Sequence, residues 1–226
     1  YKVLQTPLQG LSDSFGGAIA IPLLISLFWW CGIHGATIVG GIMGPILQSN
    51  GLANQEVFNS GAKLVAGQNA AIVTNQFVDQ FITFGGSGLT LGLVCTMLYF
   101  SKSRQYKELG KLSIIPGLFN INEPIIFGFP VVFNPIMAIP FILAPVISAI
   151  MVYTSIATGI VEPFRAISVP WTTPFIISGF LIGGVKAAIL QIAVFSMTVA
   201  VYFPFFKYQD KLAYQEEQKI GTEATV

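Results

Sequence analysis

One carboxylate stands alone in the middle of this chain, and it limits what the chain can fold into. Between Lys111 and Glu162 the only Asp, Glu, Lys or Arg is Glu123. Charged residues make up 9% of the whole chain and hydrophobic residues 54%, whereas soluble domains carry about 25% charged residues. The chain therefore reads as an all-α integral membrane protein. A carboxylate in hydrocarbon costs roughly 2.5–3.5 kcal/mol even by the lower estimates, so Glu123 is expected to face a cavity or a partner. Pro124 removes a backbone donor, and Gly117 and Gly128 weaken any helix around it. Residues 117–130 are thus predicted to be a broken, re-entrant segment. Such backbone is tolerated at membrane depth only where it lines a watery cavity or packs on protein.

Composition excludes several classes. A net charge of +1 gives no footprint for nucleic acid. A single histidine rules out a His-pair zinc motif, and no metal or cofactor is expected. Cys31 and Cys95 lie in apolar runs and read as small core residues. No phosphate loop, dinucleotide fingerprint or nucleophile–His–acid motif is present. Residues 1–12 are mixed in character and read as interfacial. The opening Tyr1-Lys2-Val3 has no basic n-region and reads as a cut into a longer chain.

Along the chain, Phe15–Ile33 is the first stretch long enough to span a bilayer. It ends in Trp29-Trp30-Cys31-Gly32-Ile33-His34-Gly35. Trp29 fits an interfacial aromatic belt or a stacking surface for a ligand. His34 fits a satisfied buried residue or a functional one. The run through Gly40 and Gly44 suits close helix packing. Residues 48–75 are too polar to face lipid and read as an outside loop or the lining of an aqueous interior. Phe77–Phe100 is predicted to be a helical hairpin whose tip, Gly85, Gly86, Ser87 and Gly88, exposes backbone groups to a polar ligand; an ordinary turn is the alternative. Four basic residues against Glu108 in 101–111 predict a cytoplasmic loop. Pro130, Pro135, Pro140 and Pro145 predict an extended, then kinked chain, helical only from about Ala144 to Val161. Glu162–Arg165 reads as a polar loop, and Val169–Pro174 as a non-helical insertion carrying Trp171. The last span runs from Phe175 to Phe206, interrupted at Gly183 and Gly184, with Lys186 snorkelling or paired. A transport domain over 1–206 is followed by a polar, cytoplasmic, mobile tail over 207–226.

What remains is a membrane cavity offering an acid (Glu123), an imidazole (His34), amides (Asn120, Asn122) and indoles (Trp29, Trp171). That set suits a neutral polyol. Sugars need acceptors and donors for vicinal hydroxyls and an aromatic face for the C–H side of the ring. A carboxylate in such a site can serve as hydrogen-bond switch or base. The residues alone point to a polar-solute transporter, with sugars as the favoured solute.

Asn122-Glu123-Pro124-Ile125-Ile126-Phe127-Gly128, followed by Pro130-Val131-Val132-Phe133-Asn134-Pro135, resembles a known family. It is the membrane component, enzyme IIC, of the bacterial phosphoenolpyruvate-dependent sugar phosphotransferase system, in its lactose, cellobiose and N,N′-diacetylchitobiose branch. Trp29–Gly35 and Trp171-Thr172-Thr173-Pro174 match as well. The resemblance covers the whole chain but only the C-terminal half of the family protein. It implies a multi-pass helical bundle with re-entrant hairpins in the bacterial cell membrane. It also implies a permease that binds a β-linked disaccharide, and a separate phosphocysteine-bearing IIB protein that phosphorylates the sugar 6-hydroxyl. Residue by residue, it implies Glu123 and His34 at that hydroxyl, either one as base. Trp29 and Trp171 would lie on the sugar rings, with Asn122 and the tip Gly85, Gly86, Ser87 and Gly88 as further contacts. The family's N-terminal half would make a homodimer. Whether to class such a permease as an enzyme stays open, since the phosphoryl group comes from the partner. The alternative is a proton-coupled sugar transporter in which Glu123 cycles the proton.

Overall fold

The computed structural model describes residue 10 and residues 12–223, with side chains through Ile220. The interfacial reading of residues 1–12 lies mostly outside the described residues. Eight α-helices and one π-helix make a bundle with no β-strand among the described residues.

Helix α1 (Phe15–Trp30) starts where the Ser14 hydroxyl accepts the Gly17 amide hydrogen at 3.0 Å, the usual side-chain answer to an unpaired first turn. Its end is tied down across the chain. The Trp30 indole donates to the Asn134 carbonyl and the Phe133 amide donates to the Trp30 carbonyl, both at 3.0 Å. Helix α2 (Gly35–Asn59) follows after four residues. A Cβ on Gly35 would lie 2.1 Å from the Ile25 carbonyl oxygen, so glycine lets α2 start against the α1 backbone.

Residues 48–75 divide differently from the sequence expectation. The polar run is helical as far as Asn59, because its amides bond to the irregular segments beside it. Asn50 donates to the Val73 carbonyl. Asn54 donates to the Ala71 and Phe164 carbonyls and accepts the Ala71 amide hydrogen. Asp13 in turn accepts the Ile72 and Val73 amide hydrogens at 2.7 Å. Irregular backbone inside a bundle needs such partners for its polar groups.

The hairpin expected over 77–100 is present. One arm is α3 (Asn75–Phe77) running into a π-helix (Val78–Ile82); the other is α4 (Leu91–Phe100). The wider π turn leaves carbonyls outside the usual ladder, and side chains take them up. Ser148 donates to Phe81 O at 2.6 Å and Gln191 to Gln80 O at 2.7 Å. The tip is fixed from behind by Tyr202, whose hydroxyl donates to Gly88 O at 2.6 Å.

The basic stretch 101–111 is no loop beyond residue 103. It forms the first half of α5 (Arg104–Leu118), which leaves Leu112 and Ile115 exposed at 71% and 65%. Lys111 sits 2.7 Å from Glu108 and holds that carboxyl below its usual range; both groups are exposed, and such pairs contribute little. After a turn comes the short α6 (Glu123–Gly128), so the chain around Glu123 is broken as expected.

The proline tract departs from expectation. Helix α7 runs unbroken from Pro135 to Ala157. Asn134 caps it, accepting the Ile136 and Met137 amide hydrogens, and Pro135 takes the first turn, where no donor is needed. Pro140 and Pro145 are buried inside the helix. Surrounding protein makes interior prolines tolerable at membrane depth.

Residues 158–176 are irregular, and Phe164 within the expected polar loop is buried, stacked 5.3 Å from Phe81. The last helix, α8 (Ile177–Glu223), is broken at Gly183 and Gly184, where Gly184 has φ 67°. Lys186 beside the break is exposed. Both α7 and α8 are long and apolar enough to cross a membrane.

The polar end from Lys207 is not a mobile tail as far as Glu223. It continues α8 and holds the start of α5. Asp210, 1% exposed, accepts from the Ser101 hydroxyl and from the Lys102 and Ser103 amides. Glu217, two helical turns on, accepts from the Ser103 hydroxyl and the Arg104 and Gln105 amides. Two carboxylates thus satisfy the donors that a helix start leaves open.

Candidate functional site

Four irregular junctions meet on one side of the bundle. They are the α1–α2 link, the hairpin tip, the turn before α6, and the loop carrying Trp171. Together with the start of α2 and the π-helix they enclose a cavity of about 330 Å³. Trp29, His34, Asp79, Asn122, Glu123 and Trp171 line it, as do Gly86 and Ser87 of the tip. Of the nine positions singled out from the sequence, seven therefore share one cavity. Gly85 and Gly88 stand behind it. A Cβ on Gly85 would lie 2.4 Å from Leu91 Cβ, and one on Gly88 2.2 Å from the Phe141 ring, so these two serve the packing of the tip.

His34 is the N-cap of α2. Its Nδ1 accepts the Thr37 amide hydrogen at 3.2 Å, and the Thr37 hydroxyl lies 2.8 Å from the same nitrogen. A hydrogen on Nδ1 would meet the amide hydrogen head-on. With Nδ1 accepting there, Nε2 carries the ring hydrogen, which makes the other edge of the ring a donor. The ring packs on Trp29 in a tilted arrangement, with centroids 4.4 Å apart and planes at 50°. Trp29 is 5% exposed, with its indole N–H buried and unpartnered, which does not fit a belt residue. Trp171 is 61% exposed at the cavity wall.

Asn120 and Asn122 hold the junctions together. Asn120 has φ 67°, a conformation asparagine tolerates better than most residues. Its oxygen accepts the Gly85 amide hydrogen, and its nitrogen donates to the Trp171 and Thr173 carbonyls. Asn122 donates to Ser87 O at 2.8 Å and to Thr90 Oγ1 at 2.9 Å. Both hydrogens of the Asn122 amide are thus engaged within the protein, and its backbone carbonyl caps α6 by accepting from Ile125 and Ile126. Glu123 is the next residue. It is exposed at the cavity edge, with no ion pair among the described residues.

Asp79 and Thr37 line the cavity and were not picked out from the sequence, whereas Asn120 was read there only as one of its amides. Asp79 was visible as an acid inside an apolar stretch. The signal for Thr37 was its place three residues after a capping position, and nothing local marked Asn120 as a three-way tie.

An imidazole packed on an indole, two carboxylates, amides and an open indole thus surround one cavity. Comparison with known proteins takes this further. The family described as "Phosphotransferase system, EIIC" matches residues 2–145, and the chain belongs to it. It is 48% identical to the cellobiose-specific EIIC component of Geobacillus stearothermophilus and 43% identical to the lichenan permease IIC component of Bacillus subtilis (strain 168). Each match covers 96% of this chain and 48% of the relative. The crystal structure of the transporter ChbC, the IIC component from the N,N′-diacetylchitobiose-specific phosphotransferase system, superposes with TM-score 0.91 at 44% identity. That match covers 96% of this chain and 50% of ChbC. The chain thus spans about half the length of the relatives it matches. These relatives give no support to proton coupling through Glu123.

Proposed function

We propose that this chain is the sugar-binding half of a phosphotransferase permease that carries a β-linked disaccharide across the bacterial cell membrane for phosphorylation on the inner side. The observation that carries the reading is the juxtaposition, in one cavity, of Glu123, His34 and two indoles. The identities to cellobiose and lichenan permease components support the substrate class.

In this reading the sugar lies with a ring face on the open Trp171 indole, while Trp29 backs His34 at the cavity wall. The Nε2 hydrogen of His34 donates to the reacting 6-hydroxyl, and Glu123 accepts that hydroxyl's hydrogen. A partner IIB protein supplies phosphocysteine. The 6-oxygen forms a bond to phosphorus, the sulfur–phosphorus bond breaks, the thiolate leaves, and the hydroxyl proton passes to Glu123. With its hydrogen on Nε2, His34 is a poor acceptor, so Glu123 takes the role of base. The tip residues Gly86 and Ser87 supply further polar contacts, and Asn122 acts by holding the tip beside Glu123. Homodimer formation through the preceding half, and several membrane crossings, complete the assembly we envisage.

The test uses the whole permease in inverted vesicles with its phosphocarrier partners. Labelled cellobiose, lactose and N,N′-diacetylchitobiose are supplied separately and the chemical form of the product is read. Sugar phosphate that requires phosphoenolpyruvate and disappears in Glu123→Gln is the expected result. Free sugar accumulating on a proton gradient, indifferent to phosphoenolpyruvate, overturns the proposal.

A further inference from the structure

A cavity of about 420 Å³ lies where α8 meets the start of α5, and it shares no lining residue with the site described above. Lys102, Lys207, Asp210, Lys211, Tyr214 and Gln215 line it. Lys207, Lys211 and Tyr214 follow one another at four and three residues and so share one face of α8. Lys102 is brought to the same wall because its amide is held on the Asp210 carboxylate at 2.9 Å.

The three lysines stand there without counter-ions. None has an ion pair among the described residues. Asp210 is almost fully buried, and its oxygens are taken by the Ser101 hydroxyl and the Lys102 and Ser103 amides. Lys207 donates to the Phe100 carbonyl at 2.8 Å, which leaves two of its ammonium hydrogens for a ligand. Three ammonium groups gathered around one occupied carboxylate repel one another, and an anion among them relieves that repulsion.

The surroundings select an amphiphilic anion. Between Ile189 and Pro204 the exposed face of α8 carries no charge, and its basic face begins at Lys207. Helix α5 changes in the same way, from exposed Arg104, Lys107 and Lys111 to exposed Leu112 and Ile115. Helices show such a change where they leave the bilayer. Phe203, one turn from Lys207 on the apolar side, meets Phe100 edge to face, and both rings are exposed. The Lys207 ammonium lies 5.8 Å from each ring. A soluble anion makes no use of that ring pair, whereas a lipid sets its phosphate on the lysines and its acyl chains against the rings.

We infer that this cavity seats the headgroup of an anionic phospholipid, with the phosphate on Lys102, Lys207 and Lys211 and the acyl chains beside Phe100 and Phe203. The seat is separate from the solute cavity and goes beyond the transport function proposed above. A lipid held there adds a bilayer contact to the Asp210 and Glu217 ties at the start of α5.

The purified whole permease in neutral detergent is titrated with dioleoyl-phosphatidylglycerol, with dioleoyl-phosphatidylcholine and with inorganic phosphate, and thermal melting gives the apparent affinities. Phosphatidylglycerol is expected to raise the melting temperature, and the other two to leave it unchanged. Lys102→Gln combined with Lys211→Gln removes two cations from the cavity and spares the Lys207 tie. That pair is expected to melt as the wild type does without lipid and to bind phosphatidylglycerol about thirtyfold more weakly. Lys107→Gln combined with Lys111→Gln removes the same charge from the outer face of α5 and is expected to bind the lipid as the wild type does. Equal weakening in both pairs means diffuse attraction and overturns the seat. Stabilisation by inorganic phosphate as large as by the lipid overturns the lipid as occupant. Unchanged lipid binding in the cavity pair, with sugar phosphorylation by the partner proteins reduced, gives the lysines to a partner protein and overturns the inference as well.

Discussion

Gly86→Ala separates the two demands that the hairpin tip makes on its sequence. Gly86 has φ 90°, where an L side chain is strained. A left-handed conformation costs alanine about 1–2 kcal/mol. A Cβ there would also lie 2.1 Å from Asn122 Cγ and 2.5 Å from its Nδ2, and overpacking of that kind adds about 1–3 kcal/mol. The total is about 2–5 kcal/mol. Gly61 offers the comparison, because its φ is 79° and nothing lies within 4 Å of its Cβ position. Gly61→Ala should therefore show the backbone penalty alone, about 1–2 kcal/mol. The difference reaches function through Asn122. Pushing its amide aside breaks the bonds to Ser87 O and Thr90 Oγ1 and shifts the residue that precedes Glu123. Misplacing a positioned group by about 1 Å can cost 100-fold in rate. Thermal melting of the purified permease and a sugar titration, run on both variants, give the answer. Gly86→Ala is expected to lose more stability than Gly61→Ala and to be the one that weakens sugar binding. Equal effects on both readouts would refute a role for the Gly86–Asn122 contact.

Thr37→Val removes the hydroxyl that faces His34 Nδ1; sugar turnover is expected to fall roughly two- to tenfold, one neutral hydrogen bond's worth, with Thr37→Ser restoring it, and equal rates in both variants would deny Thr37 a positioning role. Asn120→Ala breaks the ties to Gly85, Trp171 and Thr173; about 2–4 kcal/mol of stability should be lost along with sugar affinity, and a variant that melts normally and binds normally would contradict the three-way tie. Asp210→Ala strands the Ser101, Lys102 and Ser103 donors at a nearly buried position; a loss of about 2–5 kcal/mol is expected in melting, and Asp210→Asn, which keeps one acceptor oxygen, should lose less.

The parts of this fold that could be read from the sequence are those governed by local chemistry. Glu123 beside Pro124 in an uncharged run could only be a broken segment near something polar. Gly85, Gly86 and Gly88 all have positive φ, and their spacing marked the hairpin tip. The misread parts depend on partners far away in sequence. Asn50 and Asn54 look like loop residues until Val73, Ala71 and Phe164 are placed beside them. Pro140 and Pro145 look like helix breakers until surrounding protein covers them. Lys207–Glu223 looks like a loose end until Asp210 and Glu217 meet the start of α5.

The same division runs through the site and bears on how it works. The cavity's chemical groups were visible as residue types, but the tautomer of His34 follows from Thr37, and the seat of Trp171 follows from Asn120. Both are tertiary facts expressed through one or two hydrogen bonds. Three of the four junctions around the cavity are tied to one another, and the hairpin tip is held from α8 by Tyr202 as well. The hairpin tip is tied to the turn before α6, and that turn is tied to the Trp171 loop. Under the proposed function, such ties would let the three linked junctions move as one unit when the bundle rocks against the rest of the permease. Disconnecting any one tie should therefore weaken binding of the whole sugar more than the lost contact alone accounts for. A double-mutant cycle of Asn120→Ala with Gly86→Ala, read as sugar affinity, would expose that coupling as a non-additive loss. Strict additivity would mean that the junctions act independently.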